Sequence, residues 1–273
     1  MRLKHCRTEP PLETQTHSVG WANNMNLHLE FHRTTNRLRS GYRSLLNKAT
    51  SSRRLNGVVF DKMQDYAQAL IWYRKAAEQG NARAEFNLGL AYQYGESVPK
   101  DMAQAIAWYR KAADQGDAIA QSELGVAYEQ GAGIPQDYTQ AADWYRKAAE
   151  QGLAEAQYGL GFLYRNGKGV PKDDTQATTW MLKAAEQGET KAQFNLGVCY
   201  LNGAGVNRDF NEGYFWIFLA KTRTTDSGLK VYAENTIESL SKTMKKPDIK
   251  SAQKRAQAWL NEHPAKPEQQ TRF

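Results

Sequence analysis

Nine residues, WYRKAAEQG, span Trp72–Gly80 and return three times: as WYRKAADQG at Trp108–Gly116, unchanged at Trp144–Gly152, and as WMLKAAEQG at Trp180–Gly188. The interval is 36 residues each time. A fixed period of this length leaves the chain little freedom, because each copy must fold as the same supersecondary unit and can bury its apolar face only against its neighbours. The register is strict. Trp72, Trp108, Trp144, Trp180 and Trp216 mark one position, Gly89, Gly125, Gly161 and Gly197 a second, and Tyr92, Tyr128, Tyr164 and Tyr200 a third.

Within a unit, Ala105, Trp108, Tyr109, Ala112 and Ala113 recur at the i, i+3, i+4, i+7, i+8 spacing of one helix face, which predicts a helix, B, from about Asp101 to Gly116. An Asp opens each B helix, with Gln or Glu three residues on: Asp65/Gln68, Asp101/Gln104, Asp137/Gln140, Asp173/Gln176 and Asp209/Glu212. Such an Asp accepts hydrogen bonds from the free backbone N–H groups of the first turn. Gly80, Gly116, Gly152 and Gly188 stop the B helices. The preceding stretch, Ala84 to Tyr94, carries Ala84, Leu88, Ala91 and Tyr92 on one side and predicts a helix, A, with Gly89 at its middle. A mid-helix glycine costs about 1 kcal/mol relative to alanine, so its recurrence predicts a neighbour too close for a side chain. Loops such as YGESVPKD and NGKGVPKD join A to B, and the unit reads as an antiparallel helix pair. In this reading the nonapeptide forms the inner wall of the stack.

The stretches AQFNLGVCYLNGAGVNRDF and AEAQYGLGFLYRNGKGVPKDDTQATTWMLKAAEQG resemble Sel1-like repeats, relatives of the tetratricopeptide repeat, and the resemblance covers about Gly57 to Thr225. It implies an all-α fold, a right-handed α-solenoid of antiparallel helix pairs. Residues 46–225 would hold about five pairs. The first is degenerate, since Phe60 to Asp65 is four residues shorter than Tyr92 to Asp101 in the next unit. After Trp216 the pattern fails, with Thr224 where the stopping glycine should stand. Two capping helices are expected within 226–261, about Gly228–Met244 and Pro247–Asn261, the second with Ile249, Ala252, Ala256, Trp259 and Leu260 on one face. Residues 1–45 and 262–273 lack sustained periodicity and read as disordered segments.

Several functions are argued against. The net charge of +7 looks like a nucleic-acid signature until it is divided: residues 62–225 carry 17 Lys/Arg and 19 Asp/Glu, and the excess of cations sits in the terminal segments. Nucleic acid is therefore not the expected partner. No 18-residue apolar run predicts a membrane span, and the first thirty residues lack the apolar core of a secretory signal, so the sequence as written reads as cytoplasmic. The resemblance, by contrast, implies envelope or host-contact roles. Cys6 and Cys199 are too few for a disulfide framework, and Cys199 aligns with Ala91, Ala127 and Leu163 as a small buried hydrophobe. Cysteine-rich Sel1-like proteins are associated with β-lactam binding, but the paired cysteines of that group are absent here. His28 and His32 in HLEFH have helical spacing but lack the Glu directly after the first His that a zinc-protease helix needs. GFLYRNGKG has one residue too many between its glycines for a phosphate loop. No catalytic residue, cofactor or metal is expected.

What remains is binding. On a helical wheel Phe86, Leu90, Gln93 and Tyr94 form a second stripe on helix A, opposite the core side. Its equivalents are Ser122, Val126, Glu129 and Gln130, then Tyr158, Phe162, Arg165 and Asn166, then Phe194, Val198, Leu201 and Asn202. The resemblance implies that the A helices line a concave groove, with this stripe facing a partner polypeptide. The alternative for its aromatic members is packing between adjacent A helices. Some relatives hold a partner's terminal carboxylate with an Asn that Asn87 and Asn195 match, whereas Glu123 and Gly159 stand there in the middle units. The expectation is a monomeric, non-catalytic adaptor. Its runner-up is a tether to anionic surfaces through the basic stretch 33–54.

Overall fold

The computed structural model describes residues 66–264, and among them are eleven helices and no strand. They are α1 (Tyr66–Glu78), α2 (Ala82–Tyr94), α3 (Met102–Asp114), α4 (Ala118–Gln130), α5 (Tyr138–Glu150), α6 (Ala154–Asn166), α7 (Asp174–Glu186), α8 (Thr190–Asn202), α9 (Phe210–Arg223), α10 (Ser227–Thr243) and α11 (Lys246–Glu262). Helices α2, α4, α6 and α8 are the A helices, and α1, α3, α5, α7 and α9 the B helices. Each helix from α1 to α9 packs on the next in chain order, and α10 and α11 both pack on α9. This is an all-α repeat solenoid with C-terminal capping helices. The short first corner, the basic stretch 33–54, the segment 1–45, the pair His28/His32 and residues 265–273 lie outside the described residues.

The caps are as the sequence requires. Asp101, Asp137, Asp173 and Asp209 each sit in extended backbone. The carboxylates accept backbone N–H bonds of 2.8–3.1 Å from residues two or three further on. Most A helices are capped the same way, by Asn81, Asp117 and Glu189, but Leu153 opens α6 without a side-chain cap.

The mid-helix glycines of the A helices mark where the following B helix enters. A Cβ on Gly89 would lie 2.4 Å from the Tyr109 ring, and one on Gly125 2.5 Å from the Tyr145 ring. One on Gly161 would lie 3.0 Å from Met181 Cγ, and one on Gly197 2.5 Å from Ile217 Cγ1. The side chain that fills the gap is therefore the residue after each Trp, and these are the deepest of the pair: Tyr109, Tyr145, Met181 and Ile217 are at most 3% exposed.

The tryptophans act at a different place from the inner wall that the sequence suggested. Trp108, Trp180 and Trp72 are only half-buried, while Trp144 and Trp216 are buried. Trp108, Trp144, Trp180 and Trp216 each belong to a cluster that joins the B helix of the preceding unit to the A helix of their own. Trp108 lies against Ala69, Tyr73 and Leu88, Trp144 against Phe86, Tyr109 and Leu124, Trp180 against Tyr145 and Leu160, and Trp216 against Met181 and Leu196. The Trp seals the joint between units, and its neighbour locks A to B within one. The rings of Trp108, Trp144 and Trp180 are each covered by the Lys three residues on, with Lys111, Lys147 and Lys183 3.8–4.0 Å from the ring centroids.

A polar ladder ties the same joints. Gln121, Gln157 and Gln193 donate to the Ala113, Ala149 and Ala185 carbonyls at 3.0–3.1 Å. Gln151 donates to Gln121 Oε1 at 2.7 Å, and Gln187 to Gln157 Oε1 at 2.8 Å. In the first described unit Glu85 takes the glutamine slot and accepts from Gln115 at 2.6 Å, and burial pushes its carboxyl above the usual range. The ladder ends at Gln193. Arg223 stands where the next donor belongs, lies over the Trp259 ring at 4.6 Å, and leaves Gln193 Oε1 buried without a partner. That change coincides with the loss of the repeat. From there Ala256, Trp259 and Leu260 of α11 cover the last cluster, and Ile249 and Ala252 pack with Tyr214 and Ile217. His263, the described histidine, stacks on Trp259 with centroids 4.2 Å apart.

Candidate partner-binding face

The stripe read from the A helices divides into three environments. On α2, Phe86 and Leu90 are 1% and 7% exposed and belong to the cluster around Tyr109, with Gln93 and Tyr94 half-buried at its edge. On α8, Phe194 and Leu201 pack against the cluster of Tyr214, Ile217 and Ile237 that the capping helix α10 completes. Ser122 is buried. Between these ends, Val126 and Glu129 of α4, Tyr158, Phe162 and Arg165 of α6, and Val198 of α8 keep partial exposure, flanked by exposed Gln130, Asn166 and Asn202.

Two residues of this face were not read from the sequence as part of it, because they start on B helices. Tyr145 runs from α5 past Gly125 of α4, and its hydroxyl donates to Glu129 Oε2 at 2.7 Å. The far edge of its ring would also lie 2.9 Å from a Cβ on Gly159, so Gly159 replaces the Asn of other units at the point where this ring arrives. Tyr109 likewise donates to Gln93 Oε1. The signal is visible in the chain once the contact is known: where the B residue is Tyr109 or Tyr145, the A residue sixteen positions earlier is an acceptor, Gln93 or Glu129. Where it is Met181 or Ile217, that residue is Arg165 or Leu201. Freed of such a partner, Arg165 donates across to Asn195 Oδ1 of the next A helix at 3.0 Å. Asn195 in turn donates to the Lys191 carbonyl and to the Tyr158 hydroxyl, at 2.9 and 3.4 Å.

The electrostatics follow from this arrangement. Burial, then Glu129 and Glu123, hold the Tyr145 hydroxyl well above the usual tyrosine range. Burial together with Glu189 and Glu129 pushes Tyr158 up to about 12. Glu189 is itself raised, first by burial and then by Glu155. Cys199, behind this face, is 1% exposed and its thiol is pushed up by burial, as befits a packing residue. Among the described residues no cluster of three or more His, Cys, Asp or Glu could hold a metal ion, and no helix is long and apolar enough to cross a membrane.

The family model for the Sel1 repeat matches five consecutive stretches, 54–81, 82–117, 118–153, 154–189 and 190–221. The chain belongs to the Sel1 repeat family. Four of these stretches each hold one A–B pair, and the first contains α1. Two solved structures agree with this assignment. A protective antigen of uropathogenic Escherichia coli with an SLR fold is 39% identical, with a TM-score of 0.65 over 72% of this chain and 41% of that one. A Sel1 repeat protein of Oxalobacter formigenes is 33% identical, with a TM-score of 0.58 over 74% of this chain and 78% of that one. The match thus spans about two-fifths of the E. coli antigen. No curated protein matches this Sel1 repeat chain. Sel1 repeat proteins are commonly protein-interaction scaffolds, and the solenoid they share is typically non-catalytic.

Proposed function

We propose that this Sel1 repeat chain is a non-catalytic scaffold that holds a partner polypeptide in the concave groove lined by its A helices, with Val126, Tyr158, Phe162 and Val198 as the floor. The observation that supports this most is the contrast along the stripe. Phe86, Leu90 and Ser122 are buried and Phe194 and Leu201 are half-buried against the cluster completed by α10, whereas Val126, Glu129, Tyr158, Phe162, Arg165 and Val198 between them retain partial exposure. Aromatic and aliphatic anchors flanked by amides and charges suit an extended peptide or a partner helix.

Photo-crosslinking tests the reading directly. A benzophenone amino acid at position 162 or 198 of the full chain is expected to capture a discrete partner in cells, and the same label at Glu150, exposed on α5, is not. Capture at Glu150 alone, or capture from position 162 that persists in a Tyr158→Ala/Val198→Ala variant still folded by circular dichroism, contradicts it.

A further inference from the structure

The buried slot of the polar ladder is filled by glutamine in three joints and by an ionisable residue in the first. Gln121, Gln157 and Gln193 each donate to the carbonyl eight residues back, those of Ala113, Ala149 and Ala185. Gln121 and Gln157 also accept from the glutamine thirty residues on. An amide fills both roles because it carries a donor and an acceptor. Glu85 occupies the same slot in the first described joint, 4% exposed against 0–5% for the glutamines. It accepts from Gln115, thirty residues on, at 2.6 Å. The carbonyl eight residues back is that of Ala77, and it takes the same first bond as its equivalents. Gly80 N–H donates to it at 2.9 Å, as Gly116, Gly152 and Gly188 donate to Ala113, Ala149 and Ala185 at 3.0 Å. The second donor of the slot is wanted here as in the other joints, and a carboxylate has no proton to give.

We propose that Glu85 makes the joint between α1 and α2 a pH-dependent lock. Protonated, its carboxyl donates to the Ala77 carbonyl and accepts from Gln115, repeating the bonds that the glutamines make in the later joints. Ionised, having given its proton to solvent, it keeps the Gln115 bond alone and turns a negative oxygen to the Ala77 carbonyl, which loosens α1. The charged groups on the neighbouring helices are mostly engaged elsewhere. Arg74 and Lys75 of α1 are turned to Tyr92 and Trp72, Arg83 of α2 to Asp117 of α4, and Arg110 of α3 to Tyr128. Glu78 of α1 and Asp114 of α3 are exposed. Lys111 of α3 and the Gln115 bond draw the Glu85 carboxyl down, but burial outweighs them and leaves it raised. The folded chain therefore holds this proton more tightly than the unfolded one, so the joint is firmest at acid pH and weakens as pH rises through the raised ionisation.

Hydrogen exchange of the α1 amides, read by mass spectrometry on the full chain, tests this by comparing wild type with Glu85→Gln at each pH, so that intrinsic exchange rates and acid effects elsewhere drop out. At about pH 4 the two proteins are expected to be equally protected, because a neutral carboxyl and an amide bond alike. At about pH 7.5 Glu85→Gln is expected to be the better protected, by roughly tenfold, the effect of one buried hydrogen bond regained. Glu78→Gln, an exposed change on α1, is the control and is expected to leave the pH dependence of wild type in place. Gln157→Glu carries the carboxyl into a middle joint. Checked for folding by circular dichroism, it is expected to lower the urea midpoint at about pH 7.5 and to leave it near that of wild type at about pH 4. A Glu85→Gln gain that is the same at both pH values, or absent at both, overturns the proposal. A Gln157→Glu loss that does not grow with pH overturns it as well.

Discussion

Trp144→Ala is expected to lower the stability of the solenoid by ~3–5 kcal/mol, read as a shift in the urea midpoint monitored by helical circular dichroism. The indole is 8% exposed and closes the joint between the second and third units, against Phe86, Tyr109 and Leu124. Those residues are held on their other sides by α2, α3 and α4, so the walls cannot collapse into the space the ring leaves, and the full cavity cost applies. Whole-domain stabilities of about 5–15 kcal/mol make such a loss a large fraction of the total. Trp259→Ala is expected to cost less, because Trp259 is only partly buried and lies on the last described helix, with no later described helix packed over it. Equal losses at the two sites would contradict the assignment of the repeated Trp to the joints.

Gly205→Ala is expected to be nearly as damaging, at ~2–5 kcal/mol, for a different reason. The residue lies in the loop before α9 at φ +71, and a Cβ there would be 1.9 Å from the Asp174 carbonyl oxygen at the start of α7, one unit back. Left-handed backbone costs a non-glycine residue about 1–2 kcal/mol, and forcing apart packed backbone adds roughly 1–3 kcal/mol. Gly152→Ala separates the two terms. It too has positive φ, +91, but nothing lies within 4 Å of its Cβ, so only the conformational cost of about 1–2 kcal/mol applies. Parallel thermal melts of the two variants check this. Similar losses would mean that the A–B loop does not rest on the previous B helix.

Much of this fold can be read from the chain because every unit repeats the same local rules. Asp at the B-helix start, glycine at its end and a mid-helix glycine in A each have a single physical explanation, and four copies remove chance. The roles of Trp144 and Tyr145 were harder to separate. They are adjacent on one helix face, both large and aromatic, and periodicity alone does not tell which enters the glycine gap within the unit and which reaches the unit before. Two facts decide it, both visible only in three dimensions: the ring against Gly125 is that of Tyr145, and Trp144 packs on the preceding unit.

The candidate face divides for a similar reason. A helical wheel ranks Phe86, Tyr158 and Phe194 alike, since it sees one helix and none of the neighbours. Phe86 meets the Tyr109 ring at 5.5 Å, and Phe194 is drawn into the cluster completed by α10, whose position depends on where the repeat stops. The partnership of Tyr145 with Glu129 is written in the chain as a sixteen-residue spacing, yet that spacing acquires meaning only through the wedge that brings the two together.

That wedge is the claim on which the face depends: a B-helix ring passing the A-helix glycine locks each pair and leaves the other side of the A helix outward. A double-mutant cycle between Gly125 and Tyr145 measures it most directly. Gly125→Ala alone is expected to destabilise by ~1–3 kcal/mol, because its methyl would meet the Tyr145 ring at 2.5 Å. In a Tyr145→Ala background the same change is expected to be neutral, or to stabilise by up to about 1 kcal/mol through the better helix propensity of alanine. Additive losses, with Gly125→Ala equally harmful in both backgrounds, would contradict the account.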